Sequence, residues 1–348
     1  MIRTYLWPRF LYTLTMGNPL ANTARTIDRM IRQAVKRILH LPMTTTLSDD
    51  FFYIPKAEGG LGLASLADTS DFCILKLLKK MECSTDAPVQ AAACLWHNQK
   101  MKSRLMRRLL VPTLTNVEIS AAKRRISEEP KVRFLATYQG AGGFQNFAER
   151  CSNEWITGER MTGRSFSASI KARTNLVPTR LQTFRGRADL GDQRVCCRRC
   201  GHMSGAPESI AHISQTCAFT QGLIMRRHDA VANKLAALAE RSGYECLKEP
   251  TLRYDGQTFK PDLVISSDDT SWIIDVAIPY EGREPLARRH QEKCWKYRPL
   301  CGVVKELTKT SKCGTGAIVI GARGAWCGQN DTTLKDVGLT LTPAEKSI

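Results

Sequence analysis

Two rhythms of apolar residues divide the chain: helical spacing through the N-terminal half and short β-rich runs beyond Lys260. Between Asn22 and His40, Ile27, Met30, Ile31, Ala34, Val35 and Ile38 recur at steps of three and four, with Arg25, Arg29, Arg32, Lys36 and Arg37 largely outside that stripe. This spacing predicts an amphipathic basic helix that stops before Pro42. Gly59-Gly60-Leu61-Gly62 predicts a turn into a second helix from Asp71 to Met81, and further helical patterns cover Ala91–Leu110 and Glu118–Ile126. Gly140-Ala141-Gly142-Gly143 reads as a flexible break. A helix opening at Arg226-Arg227-His228-Asp229 runs through Ala239. Lys260–Ile265 and Trp272–Ile278 read as strands joined by a polar turn from Ser266 to Ser271, followed by helical spacing through Lys293–Tyr297. Gly316–Gly321 is a buried-strand candidate, and the tail from Leu341 to Ile348 is expected to fray.

The charge changes this picture. Against 33 Asp+Glu stand 51 Lys+Arg, a formal net charge of +18 over 348 residues, which favours a polyanionic partner, nucleic acid first. No apolar run approaches the roughly 20 residues that span a bilayer, so no membrane partner is expected. The length predicts two or three domains. Thirteen cysteines, odd in number and scattered, suit a reducing compartment with a metal site better than a disulfide scaffold. Met1 to Pro8 lacks a secretory core, and the expectation is an intracellular protein acting where DNA is, the nucleus.

Each β-rich run carries one aspartate among apolar neighbours, Asp262 and Asp275. A carboxylate there is costly unless paired. Side by side on a hairpin, the two would hold a hard cation such as Mg²⁺ through oxygen. Asp275 and Ala277 share one face of their strand, while Val276 and Ile278 take the other. Lys293, Lys296 and Tyr297 lie on one side of the following helix, where a lysine would orient water or neutralise phosphate charge. That is the equipment of a metal-dependent phosphodiesterase. His228 is either a contact to the scissile phosphate or a structural partner at a helix start, and Glu249 is a candidate third acid.

Cys197-x2-Cys200-x11-His212-x4-Cys217 offers four ligands suited to tetrahedral, structural Zn²⁺. Cys196 competes with Cys197, and His202 is a spare imidazole. Arg173, Arg180, Arg185, Arg187 and Arg194 supply phosphate-binding charge beside it.

With Lys260-Pro261-Asp262, Ile274-Asp275-Val276, Lys293-x-x-Lys296-Tyr297 and the CCHC set in this order, the chain resembles the C-terminal region of site-specific non-LTR retrotransposon polyproteins, the kind that insert into ribosomal-RNA genes. The helix ending at Pro42 and the Gly59-Gly60-Leu61-Gly62 turn look like the end of their reverse-transcriptase thumb. The resemblance implies a thumb-like helical segment over 1–81, a basic helical linker over 82–195, a zinc knuckle over 196–220 and a restriction-like endonuclease over 221–340. Its fold would be an α/β mixed sheet with flanking helices behind a mainly α N-terminal half. The implied activity is a Mg²⁺-dependent nick in target DNA that primes reverse transcription; the alternative is an inactive nucleic-acid-binding module. Target duplex DNA, element RNA and self-association are the implied interactions. The wider nuclease superfamily places a lysine two residues after the second acid, where this chain has Ala277, so that role passes to Lys293 or Lys296. The polymerase's aspartates are not recognisable, and Ser48-Asp49-Asp50 reads as a cap or turn. The gap from Cys200 to His212, long for the family, predicts an extended loop at Met203–Pro207.

Overall fold

The computed structural model describes residues 5–17, 21–43, 47–158, 161–187, 189, 191–282 and 286–342; of the expected frayed tail, residues 343–348 lie outside this set. Among the described residues no helix is long and apolar enough to cross a membrane. The chain divides into two compact units. Residues 1–56 and 60–137 form the first; 57–59 and 138–348 form the second, so the boundary falls inside the stretch 82–195.

The first unit is helical. Ala21–Ile38 is its most amphipathic helix, but its buried face is not the expected stripe: Met30 and Ile38 are 60% and 70% exposed, while Ala24, Asp28 and Val35 are buried. Asp28 sets this rotation. Its carboxylate accepts from the N–H groups of Leu66 (2.8 Å) and Ala67 (3.0 Å), at the positive end of the Leu66–Glu82 helix. That helix contains the expected run through Asp71 to Met81 and starts where Ser65 caps it, accepting from Asp68 N at 3.1 Å. The expected Ala91–Leu110 helix is two, Ala87–Cys94 and Trp96–Leu109, with an extended Leu95 between them. Asn116–Leu135 runs well past Ile126, with Pro130 inside it. Ser48-Asp49-Asp50 opens the short Asp50–Tyr53 helix, as a turn was expected to.

The second unit is built on a four-stranded mixed sheet in the order β1-β4-β5-β6: β1 (Glu245–Lys248), β4 (Leu263–Ser267), β5 (Thr270–Ala277) and β6 (Lys312–Val319). A separate hairpin pairs β2 (Leu252–Tyr254) with β3 (Gln257–Phe259). β1, β4 and β5 are antiparallel neighbours, whereas β6 joins β5 in parallel after a helical crossover. The sheet buries both faces. Leu263, Ile265, Ile274, Val276 and Ile318 pack with Val231, Leu235 and Leu334 of the Gln221–Arg241 and Gln329–Val337 helices. Val264 and Ile273 pack with Tyr297, Leu300 and Val304, where the Leu286–Tyr297 helix ends and the Cys301–Thr308 helix begins. An α/β architecture with a mixed sheet and flanking helices is what the sequence led us to expect.

Gly140–Gly143 is not a flexible break. Gln139 and Gly140 are buried, and Gly143, at φ 102°, comes so close to Glu281 that an added Cβ would stand 2.3 Å from its carbonyl oxygen. Glu281 and Arg323 form an ion pair at 3.2 Å with both side chains at 1% exposure or less. Arg323 also donates to the carbonyls of Gly142 (2.8 Å) and Glu281 (2.6 Å). Arg173 lies in the same interior, donating to Asn153 Oδ1 (2.5 Å) and Ser152 O (2.7 Å) and stacking on Phe147 at 4.0 Å. Burial, reinforced by the charge of Arg323, drags its pKa to about 9, with Glu281 pulling the other way. The expectation that Arg173 meets phosphate is therefore corrected: it has no exposed surface.

Candidate metal centre and acid pair

Cys197, Cys200, His212 and Cys217 converge, their ligand atoms all within 4.8 Å of one another. Cys200 and Cys217 Sγ are 3.7 Å apart, Cys197 and Cys217 Sγ 3.9 Å, and Cys200 Sγ is 3.1 Å from His212 Nε2. Thiolates bound to one zinc at about 2.3 Å in a tetrahedron stand about 3.8 Å apart, so the cluster has the size of a structural zinc site. The local fold explains it. Cys197 O accepts from Gly201 N at 2.8 Å to close the turn that presents Cys197 and Cys200, and Ser209 caps the His212 helix by accepting from His212 N at 3.0 Å. Cys196 faces away, toward the carbonyls of Asp192 and Gly205, which leaves Cys197 as the member of the cluster. Met203–Pro207 is not an extended loop: Gly201–Ser204 is a helical turn, and Pro207 bridges back to Cys196. Burial raises the Cys197 and Cys217 thiols, but backbone N–H groups, from Cys200 and Arg199 and from Phe219 and Thr220 respectively, outweigh it and favour thiolates.

Glu208 ties the knuckle to the arm before it. Its buried carboxylate accepts from Arg180 N (3.0 Å), Arg198 N (2.9 Å) and the Arg198 guanidinium (2.6 Å). Burial opposes its ionisation, yet these bonds hold its pKa down to about 2.

Asp262 and Asp275 meet as the hairpin spacing predicted. The turn between the strands shrinks to Asp268-Asp269, and Leu263 pairs with Ile274, which places Asp262 across from Asp275. Asp262 Oδ2 accepts from Val276 N at 2.6 Å. His228 Nε2 approaches the same oxygen at 3.3 Å, about two turns into a helix that begins at Gln221 and not at Arg226. Lys293 Nζ stands 2.5 Å from Asp275 Oδ2. The contact is ionic and off the hydrogen-bond direction, so this oxygen is buried without an aligned donor. Tyr297, one turn on, donates to Lys260 O at 3.3 Å. Lys296 is exposed, its ammonium on the Tyr297 hydroxyl at 3.1 Å, so of the two lysines only Lys293 reaches an acid. Glu249 N donates to Asp262 O at 2.9 Å, and its exposed side chain lines a cavity of about 290 Å³ together with Asp262.

The two carboxylates are driven apart electrically. Burial, reinforced by the charge of Asp262, lifts Asp275 above the usual carboxylate range despite Lys293. Burial pushes Asp262 the same way, but His228 and Val276 N–H bonds overcome it and hold it low. The Asp262 bond raises His228 to about 9, against its own burial. A groove of about 670 Å³ opens beside the pair, lined by His228, Tyr280, Arg288, Arg289 and Lys293. Arg288, Arg289 and Tyr280 were not expected here. Arg289 lies one turn before Lys293, a spacing that could have flagged it.

In the N-terminal unit a cavity of about 830 Å³ is walled by Arg32, Arg108, Arg125 and Arg133. The guanidinium groups of these four are engaged by Asp49 (3.0 Å), Asp68 (3.0 Å), the Leu109 carbonyl (2.5 Å) and Asp50 (2.8 Å) respectively, whereas Arg25 also lines the cavity. Phosphate would have to displace those partners.

No family model matches the chain. It is 29% identical over 353 residues to a retrovirus-related Pol polyprotein from type-1 retrotransposable element R2 of Popillia japonica, covering 100% of this chain and 69% of that protein. Against the Pol polyprotein of type-2 element R2DM of Drosophila melanogaster the identity is 27% over 345 residues, 97% of this chain and 31% of the relative. With the type-1 R2 polyprotein of Nasonia vitripennis it is 26% over 347 residues, 96% and 31%. The chain is thus matched almost along its whole length while spanning less than a third of two of these relatives, and it is homologous to the Pol polyproteins of R2 retrotransposable elements.

Proposed function

We propose that the second unit is a metal-dependent DNA endonuclease that nicks a target duplex, within an R2-type polyprotein whose nick primes reverse transcription. The observation that carries this reading is the acid pair itself: two aspartates on one sheet face, one held ionised by His228, the other with a buried oxygen lacking an aligned donor, and a lysine beside it. Such a donor set fits a hard divalent cation, with Asp262 and Asp275 as the residues that would hold Mg²⁺. The cation, when bound, would supply Lewis-acid stabilisation of phosphate charge. Lys293 then neutralises charge at the phosphate or orients water, His228 fixes Asp262 and presents positive charge to the groove, and Tyr297 stays protonated and steadies the helix carrying Lys293. The knuckle would hold zinc and, with Arg185 and Arg187, grip the DNA backbone. The first unit would serve as the thumb-like grip on template and primer, and the protein would act in the nucleus.

The second reading, a binding module without chemistry, draws on the same ion pairs. His228 and Lys293 give each acid an ionic partner, as a purely structural pair would require. Nicking of supercoiled plasmid with and without Mg²⁺ separates the two. Open circles that appear only with the metal support the nuclease; plasmid that stays supercoiled in Mg²⁺ and Mn²⁺ while still bound selects the module.

A further inference from the structure

The groove beside the acid pair does not stop at Tyr280. That side chain also walls a second cavity of about 300 Å³, together with Tyr138, Asn175, Thr179, Gln182 and Ser209. The two aliphatic hydroxyls among these already accept backbone N–H groups. Thr179 Oγ1 accepts from Gln182 N at 3.3 Å, and Ser209 Oγ from His212 N at 3.0 Å. The Asn175 and Gln182 side-chain amides have no hydrogen-bond partner among the described residues, although both residues are half-buried. Tyr138 is 45% exposed, and the Arg185 guanidinium stacks on its ring at 3.5 Å.

The cavity is thus small, walled by two aromatic rings and two free amides, with a guanidinium over one face of each ring, Arg185 on Tyr138 and Arg323 on Tyr280 at 4.7 Å. Its volume is at the low end of the range for ligand pockets, roughly 300–1,000 Å³. That suits one planar ring system better than a drug-sized molecule. Unpaired nucleobases are recognised in this way, by stacking on aromatic rings and by hydrogen bonds at their edges. Amides both donate and accept, so Asn175 and Gln182 match the mixed edge of a base and not the uniform edge of a phosphate. The excess positive charge of the chain draws a polyanion to the rim.

We propose that this cavity receives one unpaired nucleobase of the strand whose phosphate lies at the acid pair, with Tyr280 standing between the two sites. The inference rests on the nuclease reading for its strand, but its test does not depend on cleavage. Full-length protein is bound, with Ca²⁺ in place of Mg²⁺, to a duplex carrying one unpaired base and to the same duplex with an abasic residue at that position. DNA and RNA versions of the unpaired strand identify the source of the base. Stacking predicts about tenfold tighter binding of the base-bearing duplex. Tyr138→Leu and Gln182→Ala should each shrink that ratio toward one while leaving the abasic affinity unchanged, and Asp275→Asn should keep it. A parent ratio of one in both DNA and RNA, or a ratio untouched by Tyr138→Leu and Gln182→Ala, overturns the proposal. A preserved ratio in protein that never nicks removes the nuclease reading alone, and nicking without a ratio removes this inference alone.

Discussion

Asp262 and Asp275 face each other across the β4–β5 ladder, yet they are held by different cations: Asp262 by His228 at 3.3 Å and Asp275 by Lys293 at 2.5 Å. One carboxylate is kept ionised, while the other is forced by burial toward protonation. A divalent cation between them would relieve that conflict.

Removing the charge of Asp275 should therefore cost function and not stability. Asp275→Asn is expected to lose at least about a hundredfold in nicking rate. Without metal it should melt no lower than the parent, because a carboxylate whose pKa is raised by folding destabilises the folded state at neutral pH. Mg²⁺ should raise the melting temperature of the parent and not of the variant. Thermal melts with and without Mg²⁺ check this, and an equal Mg²⁺ shift in both proteins would place the cation elsewhere.

The two lysines should separate cleanly. Lys293→Ala is expected to slow nicking by on the order of a hundredfold, as loss of other charge-stabilising groups does. Lys296→Ala, which removes only an exposed ammonium from the Tyr297 hydroxyl, should stay within about threefold of the parent by the same measure. Single-turnover rates at saturating DNA make the comparison. Equal losses would mean that contact with Asp275 does not define the active lysine.

Zinc content should distinguish the adjacent cysteines. The protein should carry about one zinc per chain, with Cys197→Ser losing it and Cys196→Ser keeping it. Elemental analysis of reduced protein reads this directly. Retention of zinc by Cys197→Ser would hand the ligand role to Cys196.

Glu208 predicts a pH window. Its folded pKa of about 2 lies below the ordinary 4.5, so its contribution to stability is fully present above the unfolded value and disappears as pH falls from there toward 2. The stability gap between parent and Glu208→Gln should be constant from pH 5 to 7 and close below pH 4, as followed by denaturant melts. A gap that persists at pH 2 would mean that packing, not the ion pair with Arg198, sets the effect.

The strands, the pairing of the two acids and the Cys/His cluster were legible because each depends on neighbours close in sequence. A polar turn between two apolar runs fixes Asp262 against Asp275, and the Cys-x2-Cys turn closes on itself. What escaped depended on distance. The Ala21–Ile38 helix turned its Asp28 inward to cap a helix that starts at Leu66, overriding its apolar stripe. Arg173 looked like a phosphate contact because nothing near it in sequence reveals Glu281 or Arg323. The glycines at 140–143 looked loose for the same reason: the backbone they pack against lies well over a hundred residues away. Lys293 and Lys296 could not be ranked by spacing alone, since both fall on the same side of one helix.

The buried ion pair of Glu281 and Arg323 has a bearing on how this protein can be cut. Arg323 takes the carbonyl of Gly142, Trp326 N donates to Ser152 Oγ at 2.8 Å, and Arg173 packs into the same interior. A fragment beginning at Gln221 would keep both buried charges but strip away their cover from residues 138–175, and breaking such a buried arrangement costs on the order of 3–5 kcal/mol. The strands that carry the acid pair and the segment ahead of the knuckle therefore share one interior. Any transplant of the acid pair into another protein would have to begin near Tyr138, carrying the zinc knuckle with it.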